Sequence, residues 1–217
     1  LQGLAALPIM LAGNAAMRER WLDDAMAGRA MGAFAMTEAE AGSDVAAIAT
    51  TARRDGGDYV LNGAKTFISN AGIADFYVTF ASTDPAARGK GLSCFVVPAN
   101  AVGLALTGPL VLSCPHPLGS SEFRDCRVPA DHLLGHEGRG LALGLKTLDR
   151  LRATVGAAAG GMGARALAEA IAHASRRKQF GKPLASFQLV QEKLARMATE
   201  LTAARLLVYR AAWVADG

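Results

Sequence analysis

Cysteine is scarce: the 217 residues hold three, Cys94, Cys114 and Cys126. None falls in a Cys-x-x-Cys spacing and three cannot all pair within one chain. A disulfide framework is therefore excluded, and a reduced, cytoplasmic setting is expected. The histidines His116, His132, His136 and His173 do not stand at ligand spacing with them, so no metal site is expected. Aromatics make up only 6% and do not interleave with the basic residues, which removes the usual signature of a nucleic-acid binder. Charge of one sign is not in excess either. Lys and Arg number 23 against 19 Asp and Glu, and the resulting +4 suits phosphate groups but not a polyanionic partner. Long apolar runs are missing. The uncharged stretch from Leu1 to Met17 is broken by Pro8, Gly13 and Asn14, short of the roughly 20 apolar residues a membrane span needs. It also lacks the basic start of a signal peptide, so no membrane is expected.

What is present is apolar and glycine-rich: 51% hydrophobic residues and 24 glycines. Such a chain folds and buries a core, and its length suits one domain or two small ones. Leu1 stands where an initiator methionine would, and the chain stops at Gly217 straight after a helical pattern. The expectation is a portion of something longer.

Three zones follow one another. The first is helical, with a turn at Ala12-Gly13-Asn14. From Ala33 to about Leu134 come short β-like runs. Tyr59-Val60-Leu61 leads into Asn62-Gly63 and Thr66-Phe67-Ile68-Ser69 leads out, which predicts a hairpin. Phe76–Phe80 and Cys94–Val97 are further strands, separated by a polar loop over Asp84–Gly91. Successive short strands without intervening helices predict an antiparallel sheet forming a small barrel. The last zone is helical again. Its run Gly156-Ala157-Ala158-Ala159-Gly160-Gly161 puts glycines in a helix interior at up to about 1 kcal/mol each, so another backbone or a ligand should approach closely. Val190, Leu194, Met197, Leu201, Ala204 and Val208 form a bundle stripe, with Glu192, Arg196 and Glu200 on a solvated face.

Three segments could carry chemistry. Thr37-Glu38-Ala39-Glu40-Ala41-Gly42-Ser43-Asp44 offers hydroxyls and a glycine to a phosphate or a polar ring edge, or is a surface turn. Phe67 and Ser69 alternate along one strand and so share a face, as a ligand wall or as a core Phe beside a solvated Ser. Arg176-Arg177-Lys178-Gln179-Phe180-Gly181-Lys182-Pro183 could bind phosphate through Arg177. It equally suits a helix end, with cations on the C-terminus, a glycine cap and a blocking proline.

In order, LPIMLAGNAAMRERWL, AMTEAEAGSDV, GDYVLNGAKTFISNAG, DCRVPADHLLG and RRKQFGKPLASFQLVQEKLA closely resemble the acyl-CoA dehydrogenase family of flavoenzymes, from Leu7 to Gly217. The resemblance implies an α+β fold: an N-terminal helical domain, a middle antiparallel β-barrel and a C-terminal four-helix bundle, usually in a dimer or tetramer. By that match residues 1–32 are the tail of the first domain and 33–136 the barrel. Residues 137–217 hold the first two helices of the bundle. The implied reaction is FAD-dependent α,β-dehydrogenation of an acyl-CoA thioester, with an electron-transfer protein as acceptor.

For the sites, the resemblance implies that Met36, Thr37, Phe67 and Ser69 line the isoalloxazine of FAD. The family more often has Trp and Thr at the last two positions. Gly42 and Ser43 match positions near the cofactor and the pantetheine arm. Arg177, Phe180 and Gln188 match residues that reach the FAD diphosphate and adenosine of a neighbouring subunit, so cofactor binding would require the oligomer. Asp149 and Arg152 match substrate-side positions, and Gly156 to Gly163 the helix lining the acyl pocket. Two departures stand out. Leu151 occupies one of the family's two positions for the catalytic glutamate, and the other would lie beyond Gly217. No residue here is a matched base, and the portion alone is expected to be inactive. Ser113-Cys114-Pro115-His116-Pro117-Leu118-Gly119 replaces a stretch rich in glycine, serine and threonine. That makes His116 a candidate contact to the substrate or its phosphopantetheine, beside the reading of a rigid turn with an exposed His. Substrates carried on an acyl-carrier protein, an oxidase or monooxygenase relative, and a non-catalytic FAD or carrier-binding module stay open as alternatives.

Overall fold

The uncharged first stretch becomes the helix Gln2–Ala12, which buries Ala5 and Ile9. It stops where Gly13 turns back onto the Ile9 carbonyl at 2.8 Å. The Asn14 side chain then caps the next helix by accepting from the Met17 amide at 2.9 Å. That helix covers residues 15–26, widens to a π turn over Arg18–Leu22, and buries Trp21 against Phe76. The computed structural model describes residues 2–216. Contacts divide them into a first unit ending at Leu148 and a second beginning at Asp149.

The first unit is built on seven strands: β1 Gly32–Ala35, β2 Thr51–Asp55, β3 Asp58–Ser69, β4 Phe76–Ser82, β5 Leu92–Pro98, β6 Leu104–Pro109 and β7 Leu118–Pro129. Their order is β1-β4-β2-β3-β7-β6, with β5 also on β4. The expected antiparallel barrel needs correcting, because the sheet is mixed and curled. β1 runs parallel to β4 from Gly32↔Phe76 to Ala35↔Thr79, and β2 meets β4 in parallel at Thr51↔Ser82. The start of the first pair explains the direction. The Asp75 carboxylate accepts from the Met31 amide at 2.7 Å, and the Asp75 amide donates to the Met31 carbonyl at 2.7 Å. Two strands fastened at the same end can only run together.

The Asn62-Gly63 hairpin is the second correction. β3 runs unbroken through it, and the β2–β3 turn lies at Gly56-Gly57. Asn62-Gly63 lies opposite a bulge instead, whose extra residue is on β7 near Asp125 at φ +46°, with Gly63 at φ +147°. Positive φ and a side chain that bonds backbone serve a bulge as well as a turn. Asn62 accepts from the Asp125 amide at 2.8 Å across the bulge.

Strand β4 is buried along its whole length because it has core on both faces. Phe76, Val78 and Phe80 pack with Ile9, Trp21, Val96 and Leu134. Tyr77 and Ala81 pack with Tyr59, Leu61, Phe95, Phe123 and Val128 on the other side. Each large side chain so buried contributes about 1.5–3 kcal/mol. Cys94 and Cys126 are free thiols in these cores and Cys114 is a free exposed one.

The long helix Gly140–Arg176 crosses the unit boundary. Within the second unit it is followed by a small hairpin, β8 Lys178–Gln179 and β9 Lys182–Pro183, and by the helix Gln188–Asp216. Gly181, at φ +75°, belongs to the hairpin turn rather than capping the helix. A side chain at Gly156 would meet Val208 at 2.8 Å, so here close helix approach does account for the glycine. Nothing lies within 4 Å of Gly160 or Gly161. No helix among the described residues is long and apolar enough to cross a membrane.

Candidate functional site

Two segments about thirty residues apart in sequence are stapled together at one end of the sheet. The Thr66 amide donates to the Thr37 carbonyl at 3.0 Å, and the Lys65 ammonium donates to the Met36 carbonyl at 3.1 Å. Lys65 is itself buried at 1% exposure. Its partner is Glu38, at 2.7 Å. Glu38 also accepts from the Ala49 amide at 2.7 Å, the Thr50 amide at 3.0 Å and the Thr50 hydroxyl. Burial works to raise the Glu38 carboxyl, but the Lys65 charge and the hydrogen bonds from Lys65, Thr50 and Ala49 outweigh it and hold it below its ordinary value. Burial also pushes the Lys65 amine down to about 8, against the pull of Glu38.

Neither Glu38 nor Lys65 stood out as functional in the sequence. A signal was available at Lys65, which shares the inward set of β3 with Tyr59, Leu61 and Gly63, and a charge on a buried face needs a partner.

The staple frames a cavity of about 230 Å³, lined by Leu4, Gly32, Phe34, Met36, Thr37, Gly42, Val45, Phe67, Ser69 and Leu148. Met36, Thr37, Gly42, Phe67 and Ser69 thus meet at one place. Phe67 reaches it through a bulge between Lys65 and Ile68, at φ +54°, not by regular alternation. This leaves a large aromatic 63% exposed at the cavity. Among the described residues, Thr37 and Ser69 supply the only polar side chains of the wall, and no carboxylate lines it. From behind, the long helix presses on Met36 at Gly144, where a side chain would collide with Met36 and Phe80. A second groove of about 610 Å³, lined by Ala87, Gly89, Lys90, Gly138, Arg139, Leu141, Ala142 and Leu145, contains none of the residues singled out by sequence.

The other expected residues lie apart from these walls. Ser43 is exposed beside Gly42. His116 does not line the cavity, but its Nε2 lies 2.9 Å from the Ser69 hydroxyl. Asp149 and Arg152 are exposed and pair with each other at 3.0 Å. Leu151 is half-buried between them on the helix. In the second unit Arg177 and Gln188 are exposed, and Phe180, at φ +51° and 93% exposure, stands edge-on to Phe187. No group of three or more potential metal ligands occurs among the described residues.

Comparison with known proteins identifies this architecture. Residues 33–126 match the acyl-CoA dehydrogenase middle domain, and residues 138–217 the acyl-CoA dehydrogenase C-terminal domain. The human mitochondrial short-chain specific acyl-CoA dehydrogenase is 41% identical over 216 residues, 96% of this chain and 51% of that protein. Among solved structures, butyryl-CoA dehydrogenase from Megasphaera elsdenii superposes with a TM-score of 0.94 at 38% identity, over 97% of this chain and 56% of that one. The prolyl acyl carrier protein oxidase AnaB superposes at 0.93 and 34% identity, over 97% and 56%. The chain spans about half the length of the curated relatives it matches. Two successive domain matches, relatives along nearly the whole chain and a shared fold lead to one conclusion: the chain belongs to the acyl-CoA dehydrogenase family.

Proposed function

We propose that this chain is the central portion of an FAD-dependent acyl-CoA dehydrogenase, which forms an α,β double bond in an acyl thioester. The observation that carries the reading is the convergence of Met36, Thr37, Gly42, Phe67 and Ser69 on one cavity whose wall is apolar except for two hydroxyls. That wall fits a flavin ring. The exposed Phe67 offers a flat hydrophobic face that a planar ring would cover. Thr37 and Ser69 would hydrogen bond the polar ring edge, and Gly42 leaves room for close backbone approach. When bound, FAD supplies the acceptor for the hydride lost from the β-carbon.

The chain's own part in the chemistry is placement. The Glu38–Lys65 staple fixes the Met36 and Thr37 backbone, so that their groups need not reorganise as charge develops on the substrate. The α-proton requires a base. Leu151 is a hydrocarbon, and the Asp149 carboxylate is taken up by Arg152, so we assign the base to a part of the protein outside these residues. Arg177, Phe180 and Gln188 are proposed to bind the FAD diphosphate and adenosine across a homo-oligomer, for which an arginine fork is suited. Asp149, Arg152 and Ser43 are proposed on the substrate side, and an electron-transfer protein as acceptor. The reading also carries the division into 1–32, 33–136 and 137–217, the last contributing two helices of a four-helix bundle, and a cytoplasmic location.

The test is anaerobic titration of the full-length protein with short acyl-CoA thioesters. Bleaching of the visible flavin band is expected, with slow reoxidation in air and fast reoxidation by an electron-transfer protein. A flavin band that no acyl thioester bleaches would sink the proposal. A second reading, an acyl group tethered to a carrier protein, draws on the likeness to AnaB and on the Pro-His-Pro turn next to Ser69. Bleaching by the carrier-bound acyl group and not by the CoA thioester would select it, and rapid reoxidation by air alone would make the protein an oxidase.

A further inference from the structure

Resting on that reading of the cavity, we propose that His116 is a positioning residue for Ser69, with its imidazole setting which way the Ser69 hydroxyl presents itself to the bound ring. The distance from Nε2 to Oγ is 2.9 Å. Two backbone pairings hold the turn there. Ser69 pairs with Leu118 across β3 and β7, and the Asn70 amide donates to the Pro117 carbonyl at 2.9 Å. The turn that carries His116 is thus fastened to the strand that carries Ser69. Pro115 and Pro117 flank the histidine and restrict the backbone on both sides.

The chemistry follows from what a hydroxyl can do. It has one proton to give and two lone pairs to accept with. A ring nitrogen that takes the Ser69 proton leaves only lone pairs for the cavity. A ring nitrogen that donates to Oγ frees the Ser69 proton for a ligand acceptor. Thr37 is the only other polar side chain on the wall, so His116 governs one of the two hydroxyl contacts available there. The histidine also lines a neighbouring groove of about 420 Å³ with Ile73, Leu110, Val111, Leu112 and Cys114. Cys114 is the one other titratable side chain on either of these two walls. Unlike the glycine-, serine- and threonine-rich stretch that the family resemblance implies, this turn meets the cavity wall at Ser69.

The test is a double-mutant cycle in the full-length, FAD-loaded protein, read by the flavin visible spectrum and midpoint potential as well as by turnover. Ser69→Ala and His116→Ala should each lower kcat by about 10-fold with little change in KM, as expected for lost placement. Both should shift the flavin band and potential in the same direction. The double variant should be no worse than either single one, because one residue acts through the other. His116→Gln, which offers an amide near the Nε2 position, should restore most of the spectrum and rate. His116→Phe keeps a ring in the turn but drops the bond, and should match His116→Ala. Effects that multiply in the double variant overturn the inference, as does a His116→Ala protein with raised KM and an unshifted flavin. Wild-type protein that binds no FAD overturns the functional reading and this inference together. A wild-type protein that bleaches normally but gives an additive cycle overturns this inference alone.

Discussion

The two units of the chain solve burial differently. The first closes on itself: β4 is covered on both faces, and the helix Gln2–Ala12 and Trp21 seal one side. The second is a helix pair and a hairpin, and its last helix has no fully buried residue. Val155, Met162, Leu206, Leu207 and Trp213 are all exposed there. Glycines sharpen the contrast. In the first unit Gly144 is pinned against Met36 and Phe80, whereas Gly160 in the second has open space around it. Within these residues the first unit buries interdigitated side chains, whereas the second forms a single helix seam and leaves apolar faces open for the further bundle helices proposed above. A substitution of one kind should therefore give opposite results in the two.

The largest expected effect lies in the first unit's polar staple. Lys65→Ala leaves Glu38 buried without its countercharge and should destabilise by about 3–5 kcal/mol. Urea unfolding of the chain followed by tryptophan fluorescence would measure this, since Trp21 lies in that unit. A loss under 1 kcal/mol would mean that water reaches Glu38. Next, Gly140→Ala should cost about 1–3 kcal/mol, because the added carbon would meet the Ser93 and Leu92 backbone at 2.6–2.8 Å. The same change at Gly160 should instead stabilise by about 0.5–1 kcal/mol through helix propensity alone, seen as a rise in helical ellipticity and melting temperature. Equal signs at the two glycines would break the comparison.

The smallest expected effect is a pH dependence in the first unit. His132 is buried beside Trp21, with Nδ1 3.0 Å from the Val96 carbonyl and Arg20 3.4 Å from Nε2. Burial, aided by the Arg20 charge, holds its pKa below the ordinary 6.5. The unfolded chain then takes up the proton first as pH falls. This contribution is present above about pH 6.5 and lost below it. Unfolding midpoints of wild type and His132→Gln at pH 7.5 and pH 5.5 check the sign. The wild type should lose more stability than the variant on acidification.

The family resemblance, more than local sequence, made much of the cavity legible. Thr37, Phe67 and Ser69 sit in short motifs whose chemistry survives wherever the strands go, and they do converge. The parallel β1–β4 pairing was not legible, because it joins residues 44 positions apart (Gly32 to Phe76) and no local pattern records strand direction. Asn62-Gly63 was misleading because Gly63 answers to a close approach, a side chain there meeting Thr50 at 2.5–2.8 Å, and not to a turn. Glu38, Lys65 and the His116–Ser69 contact depend on strands meeting across the sheet, so their meaning appears only once the register is set.

The position of β4 in the chain also bears on synthesis. A ribosome delivers the helix Gln2–Ala12, Trp21 and strand β1 long before Phe76–Ser82, the strand they all need. Until that strand emerges, Trp21 lacks Phe76 and β1 lacks its partner strand, so their apolar faces remain available to chaperones or to one another. Non-local pairing of this kind delays folding. The nascent chain is most vulnerable until Phe76–Ser82 has left the exit tunnel.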